Sequence, residues 1–437
     1  MTLGKLEMSD TAYTQDGNLQ ETSDVSGASD MVDANRKARP VPRISIQAFC
    51  EDQKFVDAMQ SASNDRRMDK AHLSMQMGGV SAALETYRDG PTPNLIILES
   101  KANREKLLMQ LDQLAEVCDA GTKVIIVGHV NDVILYRALV ERGVSEYLVA
   151  PAEPLQIISS ISNLYSDPDA EPLGQILAFV GAKGGVGSSV LSHNVAWALS
   201  EITSTDVVIS DFDLPFGTAG LDFNQDPSQG IAEALFQSDR LDDVMLDRLL
   251  SKCSDRLSLF ASAGNLDQEY DVEREPCDLV LDVLRKNIPN SVLDLPHAWT
   301  SWSKYVLMQS DEIIITATPD LANLRNTKNI LDYLKANRKS DVSPRLILNL
   351  VGMPKKPEIS VADFSQIVEL KPSVVIDYDA EVFGTAANNG QMIGEFSQKS
   401  KVANQILDFA YLLANVKPPQ QEEKSILKPI LSRIGMK

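Results

Sequence analysis

The sequence predicts an α/β protein: two doubly wound parallel-sheet domains behind a disordered N-terminal tail. Three observations predict it. Between residues 43 and 165, short apolar runs alternate with segments of helical period, the pattern of a parallel sheet covered by helices on both faces. From Gln175 an apolar run leads into a glycine-rich turn and then into a helical segment. That order of elements lets backbone N–H groups and a helix dipole converge on an anion. Residues 1–42, by contrast, are rich in Ser, Thr, Asp, Gly and Asn, with sparse apolar side chains and no period. Such a segment buries too little apolar surface to offset the entropy of ordering it.

Composition narrows the function classes. The formal net charge of −20 argues against broad, non-specific binding to nucleic acid, which needs a basic surface. Cys50, Cys118, Cys253 and Cys277 are scattered and form no C-x-x-C or metal-ligand spacing, so reduced cytosolic thiols are expected. No basic stretch followed by an apolar run opens the sequence, and no run of about 18 apolar residues occurs, so neither a secretory signal nor a membrane-spanning helix is expected.

The first domain, 43–165, reads in order. Ile44 to Phe49 alternates like a strand, and Lys54 to Ala62 has helical spacing. Asn94 to Leu98 is a short buried strand. Arg104 to Cys118 carries Leu107, Leu108, Leu111, Leu114 and Val117 on one helix face. Lys123 to Gly128 is another buried strand, Asn131 to Arg142 is helical, Glu146 to Val149 is a last strand, and Pro154 to Tyr165 is a closing helix. The strings Pro93 to Glu99 and Tyr147 to Pro151 resemble the third and fifth strands of bacterial receiver domains. The resemblance implies a receiver-like fold, and its departures speak against aspartyl-phosphate chemistry. Glu99 stands at the phosphoacceptor position, Ala150 at that of the family lysine, and Gly128 or His129 at that of the switch hydroxyl. Glu51 and Asp52 match the acidic pair. A domain lacking acceptor and lysine is expected to serve protein contacts; a phosphorylation-controlled regulator is the contrary reading.

Residues 166–172 hold two prolines and three acids and read as a linker. The second domain spans 173–416. Its loop reads Lys183, Gly184, Gly185, Val186, Gly187, Ser188, Ser189. The P-loop pattern G-x-x-x-x-G-K-[ST] wants lysine where Ser188 stands and glycine where Ala182 stands. Two further apolar runs end in carboxylates: Val207 to Asp213, with Asp211 and Asp213 two residues apart, and Ser291 to Leu295, with Asp294. On a strand, Asp211 and Asp213 would share a face. Glu312 to Ala317 and Arg345 to Leu350 are further strands, with a helix from Leu321 to Asn337 between them.

These motifs resemble the deviant Walker A and acidic strand ends of the MinD/ParA ATPase family. The resemblance implies binding of ATP with Mg²⁺. Gly184, Gly185, Val186, Gly187, Ser188 and Ser189 would hold the phosphates, and Lys183 would reach a partner subunit's nucleotide in a homodimer. Asp213 would orient the attacking water. Ser189, Asp211 and Asp294 would form the Mg²⁺ shell, and Asn349 would read the adenine. Ser188 cannot supply the cation that the family lysine supplies, a loss of ~10²–10³ in rate. Retained ATP binding with weak or absent hydrolysis is the expectation.

Residues 417–437 form a tail. In it Ile426, Leu427, Ile430, Leu431 and Ile434 fall on one helical face, with Lys428, Arg433 and Lys437 off it. Such a stripe suits a membrane interface; docking on the protein's own core or on a partner is the alternative. Gly217 to Pro227 and Thr385 to Ile393 resemble the CpaE/TadZ family of Flp (Tad) pilus assembly. That resemblance implies a cytoplasmic factor, peripheral at the inner membrane and polar, that meets the pilus secretion machinery. A ParA-type segregation ATPase and a nucleotide-independent scaffold are the alternatives.

Overall fold

The computed structural model describes residues 38–88, 90–166, 173–262, 264, 266–267, 270–338 and 341–418. The chain divides into two units, Met1–Ser166 and Asp167–Lys437. Most of the expected N-terminal tail and all but two residues of the expected C-terminal tail, including its apolar stripe, lie outside the described residues.

In the first unit the elements run β1 (Ser45–Cys50), α1 (Gln53–Ser63), β2 (His72–Met77), α2 (Gly79–Tyr87), β3 (Leu95–Ser100), α3 (Arg104–Ala115), β4 (Lys123–Gly128), α4 (Val133–Val140), β5 (Glu146–Val149) and α5 (Pro154–Tyr165). All strand pairs are parallel, in the order β2-β1-β3-β4-β5. That is the doubly wound order of flavodoxin-like and receiver sheets. Every residue of β3 is buried, because helices cover both faces. Leu95 and Ile97 pack with Ile46, Ala48, Ile125 and Val127 on one face. Ile96 and Leu98 pack with Phe49 and Ile126 on the other. The sequence reading passed over β2 and α2. β2 is an edge strand with no buried residue, so no apolar run marks it. Val41, assigned by composition to the tail, is fully buried in this core and donates its N–H to Arg67 O at 2.7 Å.

The second unit contains β6 (Gln175–Gly181), α6 (Ser188–Ile202), β7 (Val207–Asp211), α7 (Ala219–Asp222), α8 (Ile231–Phe236), α9 (Asp243–Leu249), β8 (Ser251–Lys252), β9 (Leu257–Phe260), α10 (Arg274–Asn287), β10 (Asn290–Leu295) and α11 (Ser301–Gln309). β11 (Glu312–Ala317), α12 (Leu321–Asn337), β12 (Arg345–Val351), α13 (Val361–Val368), β13 (Val374–Asp377), α14 (Ala380–Asn389), α15 (Ile393–Phe396) and α16 (Lys401–Ala414) follow. The eight strands lie in the order β13-β12-β11-β6-β10-β7-β9-β8, and only β8 is antiparallel to its neighbour. β6 therefore sits in the middle, between β11 and β10, and its two faces feed two separate cores. Ile176, Ala178 and Val180 pack towards α10, α11 and α12. Leu177 and Phe179 pack towards α6 and α16. The short helices α7–α9 carried too little period to be read. In α10, Cys277, Val280, Leu281 and Leu284 are buried at i, i+3, i+4 and i+7, the spacing of an amphipathic helix face.

All four cysteines are free thiols. Among the described residues no helix is long and apolar enough to cross a membrane. Phe179 is fully buried on the central strand. Phe179→Ala is expected to cost about 3–5 kcal/mol, read as a lower urea midpoint with an unchanged m-value.

Candidate functional site

The loop after β6 is held by its neighbours on every side. Ala182 N donates to Thr316 O of β11 at 2.8 Å. Asn326 Nδ2 of α12 donates to Ala182 O at 2.9 Å. His297, just beyond β10, lies with Nδ1 2.9 Å from Gly181 O; a carbonyl only accepts, so Nδ1 carries the proton. Asn349 Nδ2 of β12 donates to Val186 O at 2.9 Å. Gly185 and Gly187 take left-handed φ of 78° and 82°, conformations that favour glycine. Lys183, Gly184 and Gly185 are exposed, and a Cβ on Gly184 or Gly185 would meet nothing within 4 Å. The loop is thus pinned at both ends and open at its crest. Ser188 opens α6, is buried, and its Oγ has no partner. Ser189 is half-buried beside it.

Two carboxylates end adjacent strands. Asp294 of β10 is the register partner of Asp211 of β7, and both are buried. Asp211 Oδ1 accepts from Asp213 N at 3.0 Å, and Oδ2 from Ala219 N at 3.1 Å. The first bond turns the chain immediately after β7. Asp213 therefore lies in the loop, its Oδ1 accepting from Phe216 N at 3.3 Å, and strand alternation does not place it beside Asp211. A Cβ on Gly217 would stand 2.3 Å from Asp211 Oδ2, so this loop closes over the carboxylate only because residue 217 has no side chain. Asp294 Oδ1 is buried without a partner.

The residue that the sequence reading missed is His193, one turn into α6 and fully buried. Its Nδ1 is 2.7 Å from Asp222 Oδ2 in α7. Its Nε2 is 3.4 Å from Asp294 Oδ2, an ion-pair contact without hydrogen-bond alignment. Burial alone would push the imidazole pKa down; Asp222 and Asp294 outweigh it and raise it to about 10. Burial and the neighbouring Asp294 push Asp211 up to about 7, and burial raises Asp213. A histidine among the apolar positions of a helix was the available signal. Next to it, Asn194 Oδ1 accepts from Ile393 N at 2.7 Å. A Cβ on Gly390 would stand 2.9 Å from Leu221 O. The stretches 217–227 and 385–393 therefore meet beside α6.

The arrangement suits a nucleotide. An open loop of N–H groups heads α6, and buried polar atoms around it lack hydrogen-bond partners, among them Ser188 Oγ, Asp294 Oδ1 and Asn349 Oδ1. Leu350, next to Asn349, holds a left-handed φ of 56°, an uncommon conformation for a branched side chain that marks a constrained position. Among the described residues no group of three or more His, Cys, Asp or Glu forms a metal cage. A divalent cation at Asp294 would draw its other ligands from hydroxyl, water and phosphate oxygens, as Mg²⁺ does.

The corresponding strand end of the first unit is closed. Glu99 is buried; its Oε2 accepts from Glu51 N at 2.7 Å and Asp52 N at 2.8 Å, and its Oε1 lies 3.1 Å from His129 Nε2. Glu51 Oε2 accepts from Lys101 N, and Asp52 caps α1 and pairs with Lys101 Nζ at 2.9 Å.

These two sheets, one receiver-like and one with a pinned glycine loop at its central strand, define the protein class: a receiver-like fold joined to a MinD/ParA-type P-loop fold. A ParA family ATPase from Chlorobium tepidum is 26% identical with a TM-score of 0.51, covering 55% of this chain and 99% of that one. The septum site-determining protein MinD of Helicobacter pylori is 23% identical over 234 residues, 50% of this chain and 83% of that protein. The pilus assembly protein CpaE of Caulobacter crescentus is 46% identical, covering 30% of this chain and 98% of that one. That identity places the chain in the CpaE family; the superposition itself, with a TM-score of 0.29 over so partial a span, adds nothing to it. No family model matches the chain.

The His193 contacts make a pH prediction. Its folded-state value of about 10 lies above the ordinary 6.5, so the folded protein binds more protons between those values. The stabilisation is fully present below about pH 6.5 and is lost as pH rises towards 10. Thermal unfolding is expected to show a falling midpoint over that window, and Asp222→Asn should flatten the fall.

Proposed function

We propose that the second unit binds ATP with Mg²⁺ and turns it over slowly, and that the chain serves pilus assembly as a nucleotide-dependent homodimer. Ser188 carries this reading. The loop around it is pinned and open, its buried polar neighbours await partners, and the cation that would speed phosphoryl chemistry is replaced by a short hydroxyl. In this reading Gly184 to Ser189 hold the phosphates, and Asn349 Oδ1 accepts from the adenine amino group. Ser189 and Asp294 hold the Mg²⁺ through hydroxyl and water. Asp211, both of whose oxygens accept backbone N–H groups, supports that shell from behind. Asp213 orients the attacking water from the adjoining loop, and exposed Lys183 reaches the partner subunit's nucleotide.

The pilus role rests on membership of the CpaE family and on the name borne by the Caulobacter relative. It makes the protein a cytoplasmic factor, peripheral at the inner membrane and polar, with proteins of the pilus secretion machinery as its partners. The receiver-like unit, whose acidic site is closed from within, serves contacts in place of phosphorylation. The likeness to a ParA family ATPase supports a second reading, a segregation or positioning ATPase, for which ATP-dependent gel shift of non-specific DNA is the mark.

Mg²⁺ and ATP at about 100 times the dissociation constant are expected to stabilise the protein by about 2.7 kcal/mol, seen as a raised melting temperature. No shift would favour a nucleotide-independent scaffold. Ser188→Lys is expected to raise ATP turnover by ~10²–10³ in a phosphate-release assay. Equal turnover in the two proteins would mean that position 188 does not limit the rate.

A further inference from the structure

We propose that His193 is a positioning residue that ties the acidic end of the nucleotide site to the segment 212–223. The inference rests on the nucleotide reading only for what engages Asp294; the tie itself is a matter of contacts. The imidazole is fully buried and touches a carboxylate with each nitrogen, Asp222 Oδ2 at 2.7 Å and Asp294 Oδ2 at 3.4 Å. Asp294 ends a central strand. Asp222 ends α7, a helix of four residues. A helix that short has no stability of its own, so its position depends on what holds it. The two side-chain anchors at its ends are Asp211, which accepts from Ala219 N and Asp213 N, and His193, which holds Asp222. Both lead back to the paired ends of β7 and β10. Phe223 adds a tilted ring contact with His193, with centroids 5.8 Å apart.

The same segment carries two of the most exposed apolar side chains of the second unit, Phe216 at 70% and Leu221 at 74% exposure. A cation or donor that engages the free Oδ1 of Asp294 draws on the carboxylate that His193 faces. The imidazole then shifts its interaction towards Asp222 alone, and the segment changes its hold on the sheet. His193 thereby converts a change at Asp294, inside the site, into a change in the surface that Phe216 and Leu221 present.

Hydrogen exchange on the full chain tests this. Without nucleotide or metal, His193→Asn and Asp222→Asn should each speed exchange over 212–223 about tenfold while β6 and β10 stay protected. The double variant should exchange no faster than His193→Asn alone, because the two changes cut one contact. In the wild type, Mg²⁺ with ATP should alter exchange over 212–223. In Asp222→Asn, ATP should still raise the melting temperature but leave that segment's exchange as it was, an uncoupling that loss of packing alone would not produce. Unchanged exchange in Asp222→Asn, additive effects in the double variant, or a segment that still responds to ATP in Asp222→Asn would overturn the proposal. Should His193→Asn not fold, Asp222→Asn decides by itself, since the Asp222 side chain is 15% exposed and tolerates an amide. If ATP binds neither protein, the nucleotide reading fails, and the comparison without nucleotide still decides the tie.

Discussion

Behind the glycine loop of the second unit His193 separates two carboxylates, Asp222 and Asp294, and a third, Asp211, lies beside Asp294. Asp211 and Asp294 end neighbouring strands in register, and Asp222 approaches from α7. A buried charge without a partner is among the costliest groups a fold can hold. The compensation here comes from inside the chain. Backbone N–H groups of Asp213 and Ala219 take up Asp211, and the imidazole of His193 stands between the other two. The register of β7 with β10, the burial of His193 on α6 and the turn of the chain after Asp211 together bring these groups into contact.

The two units solve a shared geometric problem differently. Each sheet is open and parallel, so the carboxyl ends of its strands collect side chains at one edge. In the first unit Glu99 is one methylene longer than aspartate, and its carboxylate is consumed by two backbone N–H groups and His129. Its acidic neighbours are engaged by Lys101. In the second unit Asp294 keeps one buried oxygen without a partner, as do Ser188 and Asn349. The central carboxylate of the first site is already satisfied, whereas a site with unpartnered buried atoms is incomplete without a ligand. That contrast supports the proposal that ligand chemistry lies in the second unit and surface contacts in the first.

Much of this was legible in the sequence for a physical reason. Strands buried on both faces are mostly apolar, so β3, β4, β6 and β11 appear as apolar runs. The edge strand β2 and the two-residue β8 answer to no such demand and leave no mark. Asn349 was singled out by the family resemblance, as the residue that would read the adenine. The structure adds that its nitrogen holds Val186 O, leaving only its oxygen free. Asp213 was expected on the strand face of Asp211; β7 instead ends at Asp211, whose side chain accepts from Asp213 N, and Asp213 lies in the loop beyond. The sequence offered only one signal for His193, a histidine among the apolar positions of α6. Its position on α6 has the spacing of a core residue, and its partners lie 29 and 101 positions away.

The missing lysine and the buried histidine are not substitutes for one another. A lysine at position 188 would begin α6 at the phosphate end and place its cation against the ligand's anionic oxygens. His193 lies one turn further in, is fully buried, and spends both nitrogens on carboxylates. It compensates the protein's own charge and leaves none over for the ligand. Apart from exposed Lys183, the positive potential that the loop offers a phosphate comes from its N–H groups and the dipole of α6. These fixed partial charges can hold a phosphate but cannot follow the charge that develops as its bond breaks. In the proposed nucleotide reading, binding rests on a loop pinned by Thr316, Asn326, His297 and Asn349, and turnover on position 188, where a short hydroxyl stands in place of a cation.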